Sequence, residues 1–161
     1  MSDTPIIDKI KARYGDNVLE THNFRGDQTV TVDKSINTDL LQWLRDDPEM
    51  DMCFLMDLTC VDYMDRKQAR FEVVYHLFSL QHNHRVRIKC PVDEEDCAIE
   101  TVTPLFKSAN WYEREVWDLY GVRFINHPKL KRILLYEGFK GHPLRKDYPV
   151  NKRQPLIGPM N

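Results

Sequence analysis

Three strand-like segments follow one another between residues 53 and 90, and they constrain the fold more than any other feature of the chain. They read CFLMDLTCVDY, RFEVVYHLFSL and RVRIKC, and the polar turns MDRKQA and QHNH join them. The middle segment is apolar on both faces, so we expect a central strand that is covered on both sides. In RVRIKC, cationic and apolar residues alternate, which predicts a strand with one face in water.

The segment before these strands carries helix and hairpin signals. IIDKIKARY has apolar residues at helical spacing. Thr4 and Pro5 are a suitable N-cap and first helical residue, and Gly15 can end the helix. Residues 17–24 and 29–33 flank a turn-forming tripeptide, and TVTVD alternates in character. This pattern predicts an antiparallel hairpin.

Two further helices are predicted. DLLQWLRDD has three leucines on one face and follows Asn37 and Thr38, either of which can act as N-cap. The Thr-Pro pair at 103–104 predicts a third helix that continues, with a bend, to Gly121. Residues 1–121 therefore predict an α+β fold, a two-layer domain with helices packed on a mixed, largely antiparallel sheet.

Residues 122–161 differ from the rest of the chain and predict an extended C-terminal arm. From residue 123 onward there are nine Lys or Arg against two acidic residues, a formal charge of +7 in a chain whose total is −2. Five of the nine prolines also lie there, which excludes regular helix or central strand over most of the segment. Its four aromatic residues favour an arm ordered against a partner surface over a disordered one. We expect the domain to fold without this arm.

Residues 111–121, WYEREVWDLYG, place four charged residues among four aromatic ones. Helical spacing lets the aromatic rings cover a sheet while several carboxylates face outward. Glu113 and Glu115 point about 200° apart on a helix, which is poor geometry for a catalytic dyad. A packed amphipathic helix and a partner-facing helix are the leading interpretations. Together with the arm, Glu113, Arg114, Glu115 and Asp118 predict intersubunit or arm-anchoring ion pairs.

The remaining polar residues give weaker signals. Cysteines at 53, 60, 90 and 97 have no closely spaced pair, so buried reduced thiols are favoured over a zinc or iron-sulfur site. His82 and His84 are predicted to be solvated turn residues. Arginine, lysine and aromatic residues of the arm permit a nucleic-acid surface, but prolines and apolar residues interrupt the charges. That interpretation therefore ranks low, and we expect no nucleic-acid partner.

No apolar run approaches the ~20 residues of a membrane span, and the N-terminus has no secretory or transit signal. The expected compartment is therefore the cytoplasm.

EREVWDLYGVRFINHPKLKRILL, followed by GHPLRKDYPV, closely resembles the signature of the 30-kDa-type subunit, designated C, of proton-pumping NADH:quinone oxidoreductase (complex I). The resemblance is strongest over residues 110–150. Tyr120 stands where Phe is common, and Asn126 replaces a frequent Gly. The matching residues are Glu113, Arg114, Glu115, Asp118, Gly121, Phe124, His127, Pro128, Arg132 and the block from Pro143 to Tyr148.

The resemblance implies a non-catalytic scaffold beside the iron-sulfur and quinone-site subunits of the peripheral arm. The whole complex passes electrons from NADH through FMN and iron-sulfur clusters to quinone and couples this to proton translocation. This chain is expected to bind no cofactor or metal itself and to reach the cytoplasmic face of the bacterial inner membrane only through the complex. The residues expected at partner interfaces are Glu113, Arg114, Glu115, Asp118, Phe124, His127, Arg132, Arg145, Lys146, Asp147 and Tyr148.

Two alternatives stay open from the sequence. The chain is an equivalent subunit of a related membrane-bound hydrogenase or ferredoxin-dependent complex, or it is a stand-alone metal-dependent enzyme that uses its scattered His and Cys residues.

Overall fold

The computed structural model describes residues 5–155, so the predicted N-cap Thr4 lies outside the described residues. Helices and strands alternate along the chain as predicted for an α+β domain, and short 3₁₀ turns follow α1 and precede α2. The elements are α1 (Ile6–Tyr14), β1 (Val18–Phe24), β2 (Asp27–Val32), α2 (Asn37–Asp46), β3 (Phe54–Asp62), β4 (Phe71–Ser79), β5 (His84–Val92), β6 (Ala98–Glu100), α3 (Ala109–Tyr120) and β7 (Arg123–Ile125).

Five strands form one sheet in the order β1-β2-β5-β4-β3. Every pairing is antiparallel except that of β2 with β5, which is parallel. Register places Leu58, Tyr75, Ile88 and Val30 side by side across four strands, and each is at most 2% exposed. This row of side chains is the centre of the hydrophobic core.

The three helices pack onto this one face of the sheet. Ile10 of α1, Leu40 and Leu44 of α2 and Val116 of α3 belong to the same buried cluster as the central row of the sheet. Burial of this apolar surface is the main force that holds the helices in place. The predicted two-layer α+β architecture is therefore confirmed.

The opposite face of β4 corrects the expectation of a strand covered on both sides. Glu72 and Val74 on that face are 2% and 4% exposed, but His76 and Phe78 are only half-buried. Glu72 is shielded by Lys67 Nζ at 2.6 Å rather than by a second layer of structure. Long side chains from neighbouring residues therefore cover part of this face. The apolar pattern of the sequence does not distinguish this kind of cover from a packed layer of helices.

Helix α2 begins at Asn37, earlier than predicted, because both candidate N-cap residues lie within its first turn, and neither side chain caps it. Asn37 is fully buried and its amide donates to Tyr75 Oη at 3.2 Å and to the Glu100 carbonyl at 3.1 Å. The side chain expected to cap the helix locally therefore joins it to β4 and β6. This use of the side chain depends on residues distant in the sequence.

Two differences concern the C-terminal half. Residues 103–108 form tight turns, and α3 begins only at Ala109, later than the predicted start at 103–104. Strands β6 and β7 pair in parallel, and Val122 and Phe124 beside and within β7 are 0% and 2% exposed. Val122 and Phe124 thus belong to the core, although the arm is predicted from the sequence to begin at residue 122. Strands of three residues are too short to give an alternation signal.

Candidate functional site

The residues that follow β7 pack against helix α3 without regular structure of their own. We call residues 126–155 the distal arm; no helix or strand occurs among them. Such a segment has no ladder of backbone hydrogen bonds of its own, and contacts with side chains of the domain fix its position. Three groups of contacts do so.

Asp118 of α3 is the first anchor of the distal arm. Its carboxylate is fully buried and accepts hydrogen bonds from three consecutive backbone N–H groups, those of residues 133–135, at 2.9–3.1 Å. The Arg132 guanidinium also donates to it at 2.5 Å. Burial alone would raise the pKa of Asp118, but these four donors outweigh burial and lower the pKa. The carboxylate is therefore held ionised by the arm that it fixes.

The second anchor is His127 of the arm, and it lies beside Glu113, which itself joins the segment before α3 to the helix. The Glu113 carboxyl oxygens accept from the Thr101 hydroxyl at 2.5 Å and from the Val102 N–H at 2.7 Å. Burial is the largest influence on Glu113, and it raises the pKa to about 7 in spite of these two hydrogen bonds. This side chain is therefore close to the point where it changes charge at neutral pH.

His127 lies beside Glu113 at the start of the distal arm. Its Nδ1 accepts from the Lys129 N–H at 3.0 Å, so the ring proton is on Nε2, which donates to the Asn110 carbonyl at 3.2 Å. Nε2 is 3.9 Å from the Glu113 carboxylate, and burial lowers the pKa of His127. A neutral imidazole thus joins the arm to the first turn of α3.

Arg70, at the start of β4, forms the third anchor. Its guanidinium makes a two-point contact with the buried Asp62 at 3.0 and 3.1 Å. It also donates to Asp147 at 2.7 Å and to Glu94 at 2.5 Å. The Lys146 N–H donates to Asp62 at 2.8 Å. One arginine and one aspartate therefore tie the far end of the arm to the sheet.

The structure separates the eleven predicted interface residues into three groups. Glu113, Asp118 and Phe124 are buried within the chain itself, where their side chains contact other residues of the chain. The residues whose side chains hold the arm or its ends in place are Arg114, His127, Arg132, Arg145 and Asp147. The remaining three are the exposed Glu115 and Lys146 and the half-buried Tyr148, which stacks on Phe139.

Arm anchoring is thus the role that the structure gives to two of the charged residues of α3. Asp118 binds Arg132 and the backbone of the arm, and Arg114 donates to the carbonyls of Lys131 and Arg132 at 3.0 and 3.1 Å. Only Glu115 among the three acids of the helix faces solvent, although several were expected outside. Backbone N–H groups compensate the two buried carboxylates, and helical spacing cannot reveal such donors.

Sequence reasoning missed Arg70, Asp62 and Thr101. Each is an ordinary polar residue next to a strand end, and its partners lie 8 to 84 residues away. A local pattern carries no signal for contacts of this kind.

The four cysteines are free. Cys60 and Cys90 are buried, as predicted, and burial raises the pKa of both thiols, whereas Cys53 is exposed and Cys97 half-buried. Across residues 5–155 no three His, Cys, Asp or Glu side chains are grouped to hold a metal ion. In the same part of the chain, no helix has both the length and the apolar character for crossing a bilayer.

Comparison with known proteins identifies the family. Residues 30–154 match the family described as "Respiratory-chain NADH dehydrogenase, 30 Kd subunit". The chain belongs to this family. The resemblance read from residues 110–150 is therefore confirmed, and it extends over most of the chain.

Relatives and solved structures agree with this assignment. The corresponding NADH-quinone oxidoreductase subunit from Geobacter sulfurreducens is 43% identical over 152 residues, 93% of each chain. Its counterpart from Citrifermentans bemidjiense is 45% identical over 93% of this chain and 92% of its own. A trypsin-resistant fragment of Nqo5 is similar with a TM-score of 0.69 and 30% identity, over 78% of this chain and 96% of the fragment.

The fold also occurs in a further respiratory assembly. A chain of the membrane-bound sulfane sulfur reductase, an archaeal respiratory membrane complex, aligns with a TM-score of 0.73 over 91% of this chain and 85% of its own. Its identity is 24%, so this likeness concerns the fold alone. Membership of the 30 kDa subunit family places the chain in NADH-quinone oxidoreductase.

Replacing Glu113 by glutamine is expected to change how stability depends on pH. Folding raises the pKa of Glu113 from 4.5 to about 7. The contribution of this side chain to the stability of the folded chain is therefore fully present below pH 4.5 and is lost as pH rises through 7. Glutamine copies the neutral form. The unfolding free energy of the variant relative to wild type should therefore rise by about 2–3 kcal/mol between pH 5 and pH 8.

Urea unfolding at several pH values measures this difference. Glu115→Gln is the matched control, because Glu115 is exposed on the same helix. Wild-type and Glu113→Gln curves that run parallel from pH 5 to pH 8 would show that Glu113 is ionised throughout.

Proposed function

We propose that this chain is a non-catalytic scaffold in the peripheral arm of complex I. In this role it holds the cluster-bearing and quinone-site subunits together while the complex transfers electrons from NADH through FMN and iron-sulfur clusters to quinone. The chain itself binds no cofactor, and it meets the cytoplasmic face of the membrane only through its partners. Family membership supports the complex, and the distal arm supports the scaffold role.

The exposed positive charge of the distal arm is the main observation that supports the scaffold role. The anchors at Asp118 and Arg70 use the arm's backbone, Arg132 and Asp147. Six other cations of the arm are exposed, and none of them forms an ion pair within residues 5–155. They are Lys129, Lys131, Lys140, Lys146, Lys152 and Arg153. A positively charged surface on an otherwise acidic chain favours docking on acidic partner surfaces.

The solved Nqo5 fragment adds support for a stable domain with an arm. That protein yielded a trypsin-resistant fragment, and the fragment aligns with 78% of this chain. For this chain we infer a trypsin-resistant domain through β7, and a distal arm that its anchors protect in part and that partner subunits protect further when they cover it.

Reversing charge on the arm tests the proposal without disturbing its anchors. Lys140→Glu combined with Lys146→Glu changes two exposed side chains, and we expect at least about a tenfold loss of association with the complex. The measurement is co-purification of the tagged chain from membranes with the cluster-bearing and quinone-site subunits, together with NADH:quinone activity. Lys11→Glu on α1 is the control, since Lys11 is equally exposed and outside the arm.

The outcomes separate the two parts of the proposal. A folded double variant that co-purifies at the wild-type level would remove the docking role of the arm. A wild-type chain that does not co-purify with the complex at all would overturn the scaffold function.

A further inference from the structure

A surface groove lies between the start of α3 and the turn that follows β7. We call it the Trp111 groove. The residues that line it and matter here are Pro104, Lys107, Asn110, Trp111, Asn126 and Pro128. Its apolar walls are the indole of Trp111 and the rings of the two prolines. None of the three anchors of the distal arm occupies it.

Trp111 is the most informative residue of the groove. Its side chain is 62% exposed, although tryptophan is the amino acid with most surface to gain from burial. Among the hydrogen bonds of residues 5–155, none uses its indole N–H. The Arg114 guanidinium lies 5.4 Å from the ring centre and supports one side of the ring. An exposed tryptophan with a free donor is the kind of side chain that dominates binding at protein interfaces.

Hydrogen bonds hold the backbone at two positions beside the groove. His127 donates to the Asn110 carbonyl at 3.2 Å beneath it, and the Asn126 amide donates to the Glu100 carboxylate at 3.0 Å. Asn126 also has a left-handed backbone, with φ of 63°, which sets the sharp turn before Pro128. Because these contacts are already made, binding would require little further ordering of the backbone beside the groove.

The charges at the rim of the groove are mainly positive. Lys107 and Lys129 are exposed, and within the described part of the chain neither has an acidic partner. The acids nearby are Glu115, one helical turn beyond Trp111, and Glu100, which is bonded to Asn126. The groove therefore complements an acidic ligand, in a chain whose overall charge is −2.

We propose that the Trp111 groove binds an extended, acidic segment of a partner subunit. An apolar side chain of that segment packs between Trp111, Pro104 and Pro128, and a neighbouring carboxylate pairs with Lys107 or Lys129. The inference rests on the proposed scaffold function and adds to it a second contact surface, separate from the cations at the far end of the arm.

Truncation of the tryptophan tests the groove in the full-length chain. Purified chain is titrated onto membranes from a strain that lacks it, and restored NADH:quinone activity reports binding. Trp111→Ala should weaken the apparent affinity about 30-fold, the loss typical of a central aromatic residue at an interface. Trp111→Phe should retain most of the affinity. Leu80→Ala is the control, because Leu80 is 69% exposed on the β4–β5 turn.

A photoreactive amino acid at position 111 identifies the occupant. In the assembled complex we expect a crosslink to an acidic segment of another subunit. A crosslink to lipid, to a second copy of this chain or to a segment without acidic residues would overturn the inference, as would unchanged affinity of a folded Trp111→Ala chain. If that chain binds normally while Lys140→Glu with Lys146→Glu does not, the scaffold function stands without the groove. If wild-type chain restores no activity, the scaffold function itself fails.

Discussion

Replacing Asp118 by alanine is expected to destabilise the chain by about 3–5 kcal/mol, the range found when one partner of a buried ion pair is removed. The change leaves the Arg132 guanidinium and the three N–H groups of residues 133–135 without their acceptor. Each unsatisfied donor costs free energy unless it reaches water. The distal arm is therefore expected to separate from α3 while the core of the sheet remains.

Two measurements on Asp118→Ala distinguish loss of the anchor from general unfolding. Urea unfolding gives the free energy, and limited trypsin digestion at Lys129, Lys131 and Lys140 reports release of the arm. Glu115→Ala, on the exposed side of the same helix, should change neither. A variant as stable and as protease-resistant as wild type would show that the buried carboxylate is not an anchor.

The pH dependence of this anchor has the opposite sign to that of Glu113. The pKa of Asp118 is lowered on folding from its usual 3.8. The stability that the ionised Asp118 side chain contributes is therefore fully present above pH 3.8, and it is lost as pH falls through the lower pKa of the folded chain. Acid should release the distal arm before the sheet unfolds. Hydrogen exchange at the N–H groups of residues 133–135 should speed up on acidification of the wild-type chain beyond the intrinsic pH effect, and this extra change should be absent from Asp118→Ala, whose arm is already released.

Replacing Arg70 by alanine is expected to have the next largest effect, a loss of about 3 kcal/mol or more. Asp62 is 0% exposed in its side chain, and without Arg70 it retains only the backbone donors of Met64 and Lys146. Removal also takes the cationic partner from Asp147 and leaves Glu94 with only Arg145, at 3.6 Å. The far end of the arm then loses its connection to β4.

Lysine at position 70 serves as the graded variant. It keeps the charge but lacks the fork that contacts both oxygens of Asp62, so an intermediate loss is expected. Arg85→Ala is the control, because Arg85 pairs with Asp27 at the surface with 64% of its side chain exposed, and such pairs contribute about 0–1 kcal/mol. Equal urea unfolding for Arg70→Ala and Arg85→Ala would contradict the anchor.

The parts of the structure that were predicted correctly depend on periodic patterns. β3, β4 and β5 carry long alternating or apolar runs, and α1 and α2 carry apolar faces, so local sequence suffices. The family resemblance depends on a motif of charged and aromatic residues, and it can likewise be recognised from the sequence alone.

The parts that were missed depend on contacts between distant residues. Helical spacing predicts which residues of α3 share a side, but it does not show that residues 133–135 supply three N–H groups to Asp118. The role of Arg70 requires Asp147, which is 77 residues away. Nothing in the local pattern around either residue indicates the pairing.

The anchors have a consequence for how the chain is made. A ribosome completes Asp62, Arg70 and Asp118 before residues 132–147, which supply their remaining partners. Until then Asp118 lacks its donors, although Asp62 and Arg70 already bind each other. A product ended at Gly121 would also lack the core side chains of Val122 and Phe124. Contrary to the expectation from sequence, such a fragment should be marginally stable and open to cellular proteases. The anchors can therefore be complete only after residue 147 has been synthesised, so the distal arm adds its stabilising contacts after the rest of the domain.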